Sequence, residues 1–157
     1  MTTRIDRLAG RGLVTRRADP ADRRHVVVEL TGTGLAPGGW SQAPLTIRNG
    51  GSAALVYRLA TTSATDPTGL PTALRLRVQQ VGVAAGCPSG VGAADPADPA
   101  VTLYAGPLLG ATTAPARPLA VGAREVLCLR VGLAADAPSS TQSGSTAITF
   151  TFAAVST

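Results

Sequence analysis

The sequence reads as an all-β protein, an antiparallel sandwich of jelly-roll or immunoglobulin-like type with about seven strands, preceded by a short basic helix-turn segment. Three observations lead there. Short apolar runs alternate with period two, so one face of each run is apolar and the other polar. Glycine, proline, serine and threonine punctuate those runs, with 18 Gly and 12 Pro in 157 residues. Helical spacing is nearly absent after residue 12.

Taken in order, Ile5 and Leu8 lie three apart, as on one helix face, with Thr2 or Thr3 to cap the start and Gly10 and Gly12 to stop it. A helix of two turns needs tertiary support to persist in water. Leu13 and Val14, the turn from Arg16 to Arg24 through Asp19-Pro20-Ala21-Asp22, and His25-Val26-Val27-Val28-Glu29-Leu30 then read as a β-hairpin. Leu45-Thr46-Ile47-Arg48 and Leu55-Val56-Tyr57-Arg58-Leu59 are the next strands. In Ala73-Leu74-Arg75-Leu76-Arg77-Val78-Gln79, the apolar residues Leu74, Leu76 and Val78 share one face while Arg75, Arg77 and Gln79 face water. Residues 101–104, Leu127-Cys128-Leu129-Arg130-Val131-Gly132-Leu133 and Ile148-Thr149-Phe150-Thr151-Phe152 complete the set. The sandwich is therefore placed at residues 25–157 and the basic segment at residues 1–24.

Composition narrows the classes. An apolar content of 45% argues for a packed fold, and no apolar run approaches the ~20 residues that cross a bilayer as a helix. All 14 basic residues are arginine, and seven of them (Arg4, Arg7, Arg11, Arg16, Arg17, Arg23 and Arg24) fall in the first 24 residues. Residues 1–35 carry seven arginines against four acids, net +3, and the remaining 122 residues carry +2, so charge density changes near residue 35.

Two resemblances follow that boundary. Arg4-Ile5-Asp6-Arg7-Leu8, Arg11-Gly12-Leu13-Val14 and Asp19-Pro20-Ala21-Asp22-Arg23-Arg24 occur in the order and spacing of MarR-type winged-helix regulators. Residues 1–33 thus resemble the end of that family's recognition helix and its wing, where Asp22 and Arg24 match the Asp-x-Arg that orders the wing tip. The family's earlier supporting helices and terminal dimerisation helices have no counterpart in the match. Residues 34–157 resemble the secreted β-sandwich family of TasA and camelysin. That resemblance rests on Gly34-Leu35-Ala36-Pro37-Gly38, Leu45-Thr46-Ile47-Arg48-Asn49-Gly50-Gly51 before Tyr57, and Leu103-Tyr104-Ala105-Gly106-Pro107-Leu108. It also includes Leu119-Ala120-Val121-Gly122 before Leu127-Cys128-Leu129, and Gln142-Ser143-Gly144 before the last strand. It implies a secreted or surface matrix, biofilm or fibre subunit that donates an N-terminal strand to its neighbour. Val26, Val28 and Leu30 alternate as that family's first strand does, so they are expected to complete the sandwich and to supply the strand-pairing element.

Chemistry is sparse. Cys87 and Cys128 are the two cysteines; an even pair in a secreted domain reads as a disulfide, and two free thiols are the alternative. Cys128 alternates with Leu127 and Leu129 and so lies on the opposite face, and Cys87 sits in a glycine-bounded loop. His25 is the single histidine, read as a solvated residue at a strand start, because a zinc hydrolase needs about three ligands and a base. Serine and threonine hydroxyls lack a second histidine or a lysine as base. Gly38-Gly39 and Gly50-Gly51 read as turn glycines at positive φ, and Asp95-Pro96-Ala97-Asp98-Pro99 as a rigid loop rather than a calcium site. Trp40 and Tyr57 are too isolated for a stacking platform.

No enzyme, metal or cofactor is expected. The first expectation is a non-enzymatic structural protein, extracellular or at the cell surface, that self-associates by strand pairing. The alternative is a cytoplasmic MarR-type remnant binding DNA weakly and without sequence preference through Arg4, Arg7, Arg16, Arg17, Arg23 and Arg24. The first 25 residues hold seven arginines and no apolar core, so they do not read as a secretory signal.

Overall fold

The computed structural model describes residues 2–4, 14–18, 25–31, 35–96 and 101–157. It is an all-β protein, two antiparallel sheets facing each other across one core. The strands are β1 (Thr2–Arg4), β2 (Val14–Ala18), β3 (His25–Thr31), β4 (Trp40–Arg48), β5 (Leu55–Ser63), β6 (Leu74–Val81), β7 (Gly90–Val91), β8 (Val101–Pro107), β9 (Arg117–Leu119), β10 (Arg124–Leu133) and β11 (Ser145–Ser156). The first sheet runs β1-β4-β10-β6-β8, with β7 also on β4; the second runs β2-β3-β11-β5-β9. A single helical turn, α1 (Leu70–Ala73), takes Ala73 out of the strand the sequence assigns to it, with Pro71 in its first turn. No helix among the described residues is long and apolar enough to cross a membrane.

Alternation decides the layers. Leu45 and Ile47 of β4, Leu74, Leu76 and Val78 of β6, and Leu127, Leu129, Val131 and Leu133 of β10 point inward from the first sheet. They meet Tyr57 and Leu59 of β5, Leu119 of β9, and Ile148, Phe150 and Phe152 of β11. With so few aromatic residues, the core is filled by aliphatic side chains, and the one aromatic contact in it sets Tyr57 at 48° to Phe152 with centroids 6.5 Å apart. Strand β10 is central and buried on both faces over residues 125–129, which is why its apolar run is nearly continuous.

Several sequence expectations change. Thr2–Arg4, read as a helix start, is extended and pairs with Thr46, Ile47 and Arg48 of β4. The β-branched threonines suit a strand, and β4 offers an edge there for them to pair with. The rest of the expected helix, with Ile5 and Leu8, lies outside the described residues. Thus β1 joins the first sheet and β2 joins the second, both from the basic segment. Gly38 has φ +78, whereas Gly39, Gly50 and Gly51 are not at positive φ. At the latter pair the turn is made by Asn49 instead: its Oδ1 accepts from the Gly51 amide at 3.0 Å, and its Nδ2 donates to the Ala53 and Leu119 carbonyls.

Candidate functional site

Three arrangements position polar or reactive groups. The first is the edge of β11. Strand β3 lies along it antiparallel, pairing His25 with Thr151, Val26 with Phe150, Val28 with Ile148 and Leu30 with Thr146, seven pairs in all from Ser145 to Thr151. On its other side β3 pairs with β2 from Val14 opposite Leu30 to Ala18 opposite Val26. The opposite edge of β11 is held by β5 from Ile148 to Ser156. The side chains of Val26, Val28, Leu30, His25, Arg4, Arg16 and Arg17 lie outside the described ones, and Arg7, Arg11, Arg23 and Arg24 lie outside the described residues altogether. Their backbone places Arg4 on β1 and Arg16 and Arg17 on β2.

The second arrangement fastens residues 82–96 over the outer face of the first sheet. Cys87 and Cys128 form a disulfide with their Cα atoms 5.5 Å apart, and with Val81 and Val126 they make a small second core. Cys128 thus faces away from Leu127 and Leu129, as strand alternation requires. Gln42, 1% exposed, donates from Nε2 to the Pro88 carbonyl at 2.8 Å and the Ala94 carbonyl at 2.7 Å. The Gln42 Oε1 accepts from Arg130 Nε at 2.9 Å. Trp40 Nε1 donates to the Ala93 carbonyl at 3.1 Å, and the Arg130 guanidinium lies 4.8 Å from the centre of the Trp40 ring. Arg130 also forms an ion pair with Asp95 at 2.5 Å. Asp95 therefore serves as a counter-ion in this loop, while Asp98 lies outside the described residues. No group of three metal-ligating side chains occurs among the described residues.

The third is a polar cluster inside the sandwich. Glu125 of β10 points into the core from the first sheet and is 8% exposed. Arg117 of β9 meets it from the second sheet with Nε 2.8 Å from Oε1 and 3.1 Å from Oε2, and its Nη2 bonds both Glu125 and, at 2.7 Å, the Oε1 of Gln80. The Tyr57 hydroxyl donates to Glu125 as well, and Tyr57 stands opposite Arg117 in the β5–β9 pair. Burial, followed by the hydrogen bond to the Glu125 carboxylate, pushes the Tyr57 phenol well above its usual range. The bond to Glu125 likewise raises the Arg117 guanidinium. The cluster ties two strands of each sheet together with its hydrogen-bonding groups paired, so it fixes how the sheets face each other.

Sequence reasoning missed this cluster and the Trp40–Arg130 pair. Gln80 continues the inward alternation of Leu74, Leu76 and Val78 and stands opposite Leu127, while Val81 stands opposite Val126 and faces out. Elsewhere, Asp66 is held below the usual carboxylate range by the Thr68 hydroxyl and then the Thr68 amide. That arrangement is a local turn.

Against known proteins, the MarR family model matches residues 1–26. No curated protein matches the chain. The match takes in β1, β2 and the first two residues of β3, and it ends where the pairing of β3 with β11 begins.

Proposed function

We propose that this chain is a non-enzymatic structural subunit of the TasA and camelysin type, secreted or held at the cell surface, which assembles by passing β3 to the β11 edge of a neighbouring copy. The observation that carries the reading is the seven-residue ladder between β3 and β11. Strand β3 lies in the second sheet and β4, the next strand in the chain, lies in the first, so the same ladder can be built within one copy or between two. Exchange gains no new contacts. It is governed by the concentration of other copies against the effective concentration of the tethered strand. The disulfide between Cys87 and Cys128 supports an oxidising compartment.

The test pairs Val28→Cys with Ile148→Cys, which stand opposite each other in the ladder. Protein concentrated, oxidised and run without reductant gives a covalent ladder of multimers under this reading, matched by larger species in sedimentation velocity. A cross-link confined to the monomer at every concentration refutes it.

A second reading is favoured by the family match over residues 1–26. A MarR wing is a β-hairpin, and β2 and β3 pair as one, with Arg23 and Arg24 in the connection between them. Under this reading the chain is cytoplasmic and meets DNA phosphates weakly and without sequence preference. A gel-shift with mixed-sequence duplex at low salt, repeated with Arg16, Arg17, Arg23 and Arg24 changed to Ala, decides it. Unchanged mobility between the two proteins removes any role for these arginines.

A further inference from the structure

The outer face of the first sheet carries a groove of about 520 Å³, lined by Trp40, Arg75, Arg77, Arg130, Gly132 and Asp136 among others. Register explains its shape. Trp40 stands opposite Gly132 on β10, and Gly132 stands opposite Arg75 on β6, so one cross-strand row reads Trp40, Gly132, Arg75. Strands lie ~4.8 Å apart, which puts Trp40 and Arg75 about 10 Å from each other. Gly132 between them carries no side chain but lies under the Gly39 carbonyl, which a Cβ there would meet at 3.2 Å. The adjoining row reads Gln42, Arg130, Arg77.

The groups in this groove have separate tasks. Arg130 is committed to Asp95, Gln42 and the indole ring, and together with the Ala93 carbonyl it holds Trp40 in one orientation before any ligand arrives. Arg75 and Arg77 are exposed and project from the same face two residues apart. Asp136 brings a carboxylate to the same groove.

We propose that this groove binds a carboxylate-bearing sugar chain, an acidic polysaccharide of uronate type. A sugar ring fits the groove beside the apolar body of the indole, with the Gly39 carbonyl over Gly132 as an acceptor at its floor. Arg75, whose Nη1 also donates to the Thr72 and Leu74 carbonyls at 3.3 and 3.4 Å, and Arg77 meet its carboxylates through charge-assisted hydrogen bonds. Asp136 accepts from sugar hydroxyls, a task that a site for phosphodiesters has no use for and that repels them. One ring-bearing side chain and two outward arginines suit a sparsely charged chain, whereas single-stranded nucleic acid calls for successive stacking rings along a long basic track. The site lies on the sheet opposite the β3–β11 ladder and is independent of how copies join.

Trp40 is the sole tryptophan, so intrinsic fluorescence reports directly on the site. The experiment titrates the full chain with oligogalacturonate, with a neutral galacto-oligosaccharide of equal length, and with a mixed-sequence DNA duplex. Expected is a saturable change with the uronate, at least tenfold weaker with the neutral sugar, and weakened at least tenfold by Arg75→Ala with Arg77→Ala at unchanged far-UV circular dichroism. Asp136→Ala also weakens uronate binding. No saturable uronate response, equal affinity for the neutral sugar, an unaffected double variant, or DNA bound more tightly than the uronate with Asp136→Ala strengthening it each overturns the proposal.

Discussion

The cluster of Tyr57, Gln80, Arg117 and Glu125 makes a quantitative prediction about what holds the two sheets together. Changing Arg117 to Met keeps the side-chain length but leaves the buried Glu125 carboxylate facing the core with only the Tyr57 hydroxyl. Removing one partner of a buried pair costs about 3–5 kcal/mol, because the remaining charge stays desolvated. The reverse change, Glu125→Leu, is milder. Arg117 is 24% exposed, so water reaches its guanidinium, and Gln80 remains as an acceptor. About 1–3 kcal/mol is expected there, the cost of unpaired polar groups. The double variant removes both charges and is therefore less damaged than the sum of the single variants, with a coupling energy of at least ~2 kcal/mol. The assay is urea unfolding with the disulfide intact, followed by Trp40 fluorescence and circular dichroism together. At a slope of ~2 kcal/mol per molar urea, Arg117→Met lowers the midpoint by about 2 M. If the two single effects simply add, within ~0.5 kcal/mol, the cluster does not act as a unit and the reasoning fails.

The same hydroxyl gives a pH dependence. The Tyr57 phenol is held neutral, with its folded pKa raised above the ordinary value of 10.0, so its contribution is fully present below pH 10 and is lost as pH rises above it. Stability should fall by about 1.4 kcal/mol per pH unit above 10 on this account, and comparing alkaline melting curves of the parent with Tyr57→Phe shows whether that slope disappears. Replacing Cys87 and Cys128 by Ser opens a link of sequence separation 41 and should cost about 4 kcal/mol, measured as a lowered urea midpoint. Gly38→Ala forces a side chain to φ +78 and should cost about 1–2 kcal/mol in thermal melts. Gly51 is not at positive φ, but in Gly51→Ala the Cβ would stand 3.3 Å from the Asn49 Oδ1 that makes the turn, so about 0.5–1 kcal/mol is expected.

The strands were legible because each buries one face. Leu74, Leu76 and Val78 announce β6 by alternation alone, and the same rule finds β4, β5, β10 and β11. The pieces that escaped are those whose conformation is imposed from outside. Thr2–Arg4 is three residues long and takes its extended form from β4, and Arg117–Leu119 is too short, with Pro118 at its centre, to carry a period. Strand β7, two residues, exists through its pairing with Ser41 and Gln42. Cysteine arithmetic brings Cys87 and Cys128 together as one candidate pair. No comparable rule joins Trp40 to Arg130 or Glu125 to Tyr57, since each pair meets only after the sheets have formed and neither residue carries a spacing signal. The shift at Val78/Gln79 leaves β6 alternating through Gln80 and instead adds Leu103 to β8, so β8 is where the period of two breaks.

The proposed strand exchange can be weighed by comparing the sheet edges. An edge strand invites pairing unless it is short, bulged, interrupted by proline or covered. Strands β1, β7 and β9 offer three, two and three residues, and β9 holds Pro118. Strand β8 is longer, but it is bulged beside Leu103 and ends in Pro107, whose carbonyl already accepts from the Tyr104 hydroxyl at 2.6 Å. Each of these edges has its own stop. Strand β11 has twelve residues, and along Ser145 to Thr151 its protection is β3 alone. Strand β2, five residues long, is the edge of the second sheet and is paired to β3, so under the proposed exchange the two leave together and β11 is the longest edge uncovered among the described strands. Under that exchange the core stays closed, because Ile148, Phe150 and Phe152 are held by β5 and the facing sheet whichever copy supplies β3.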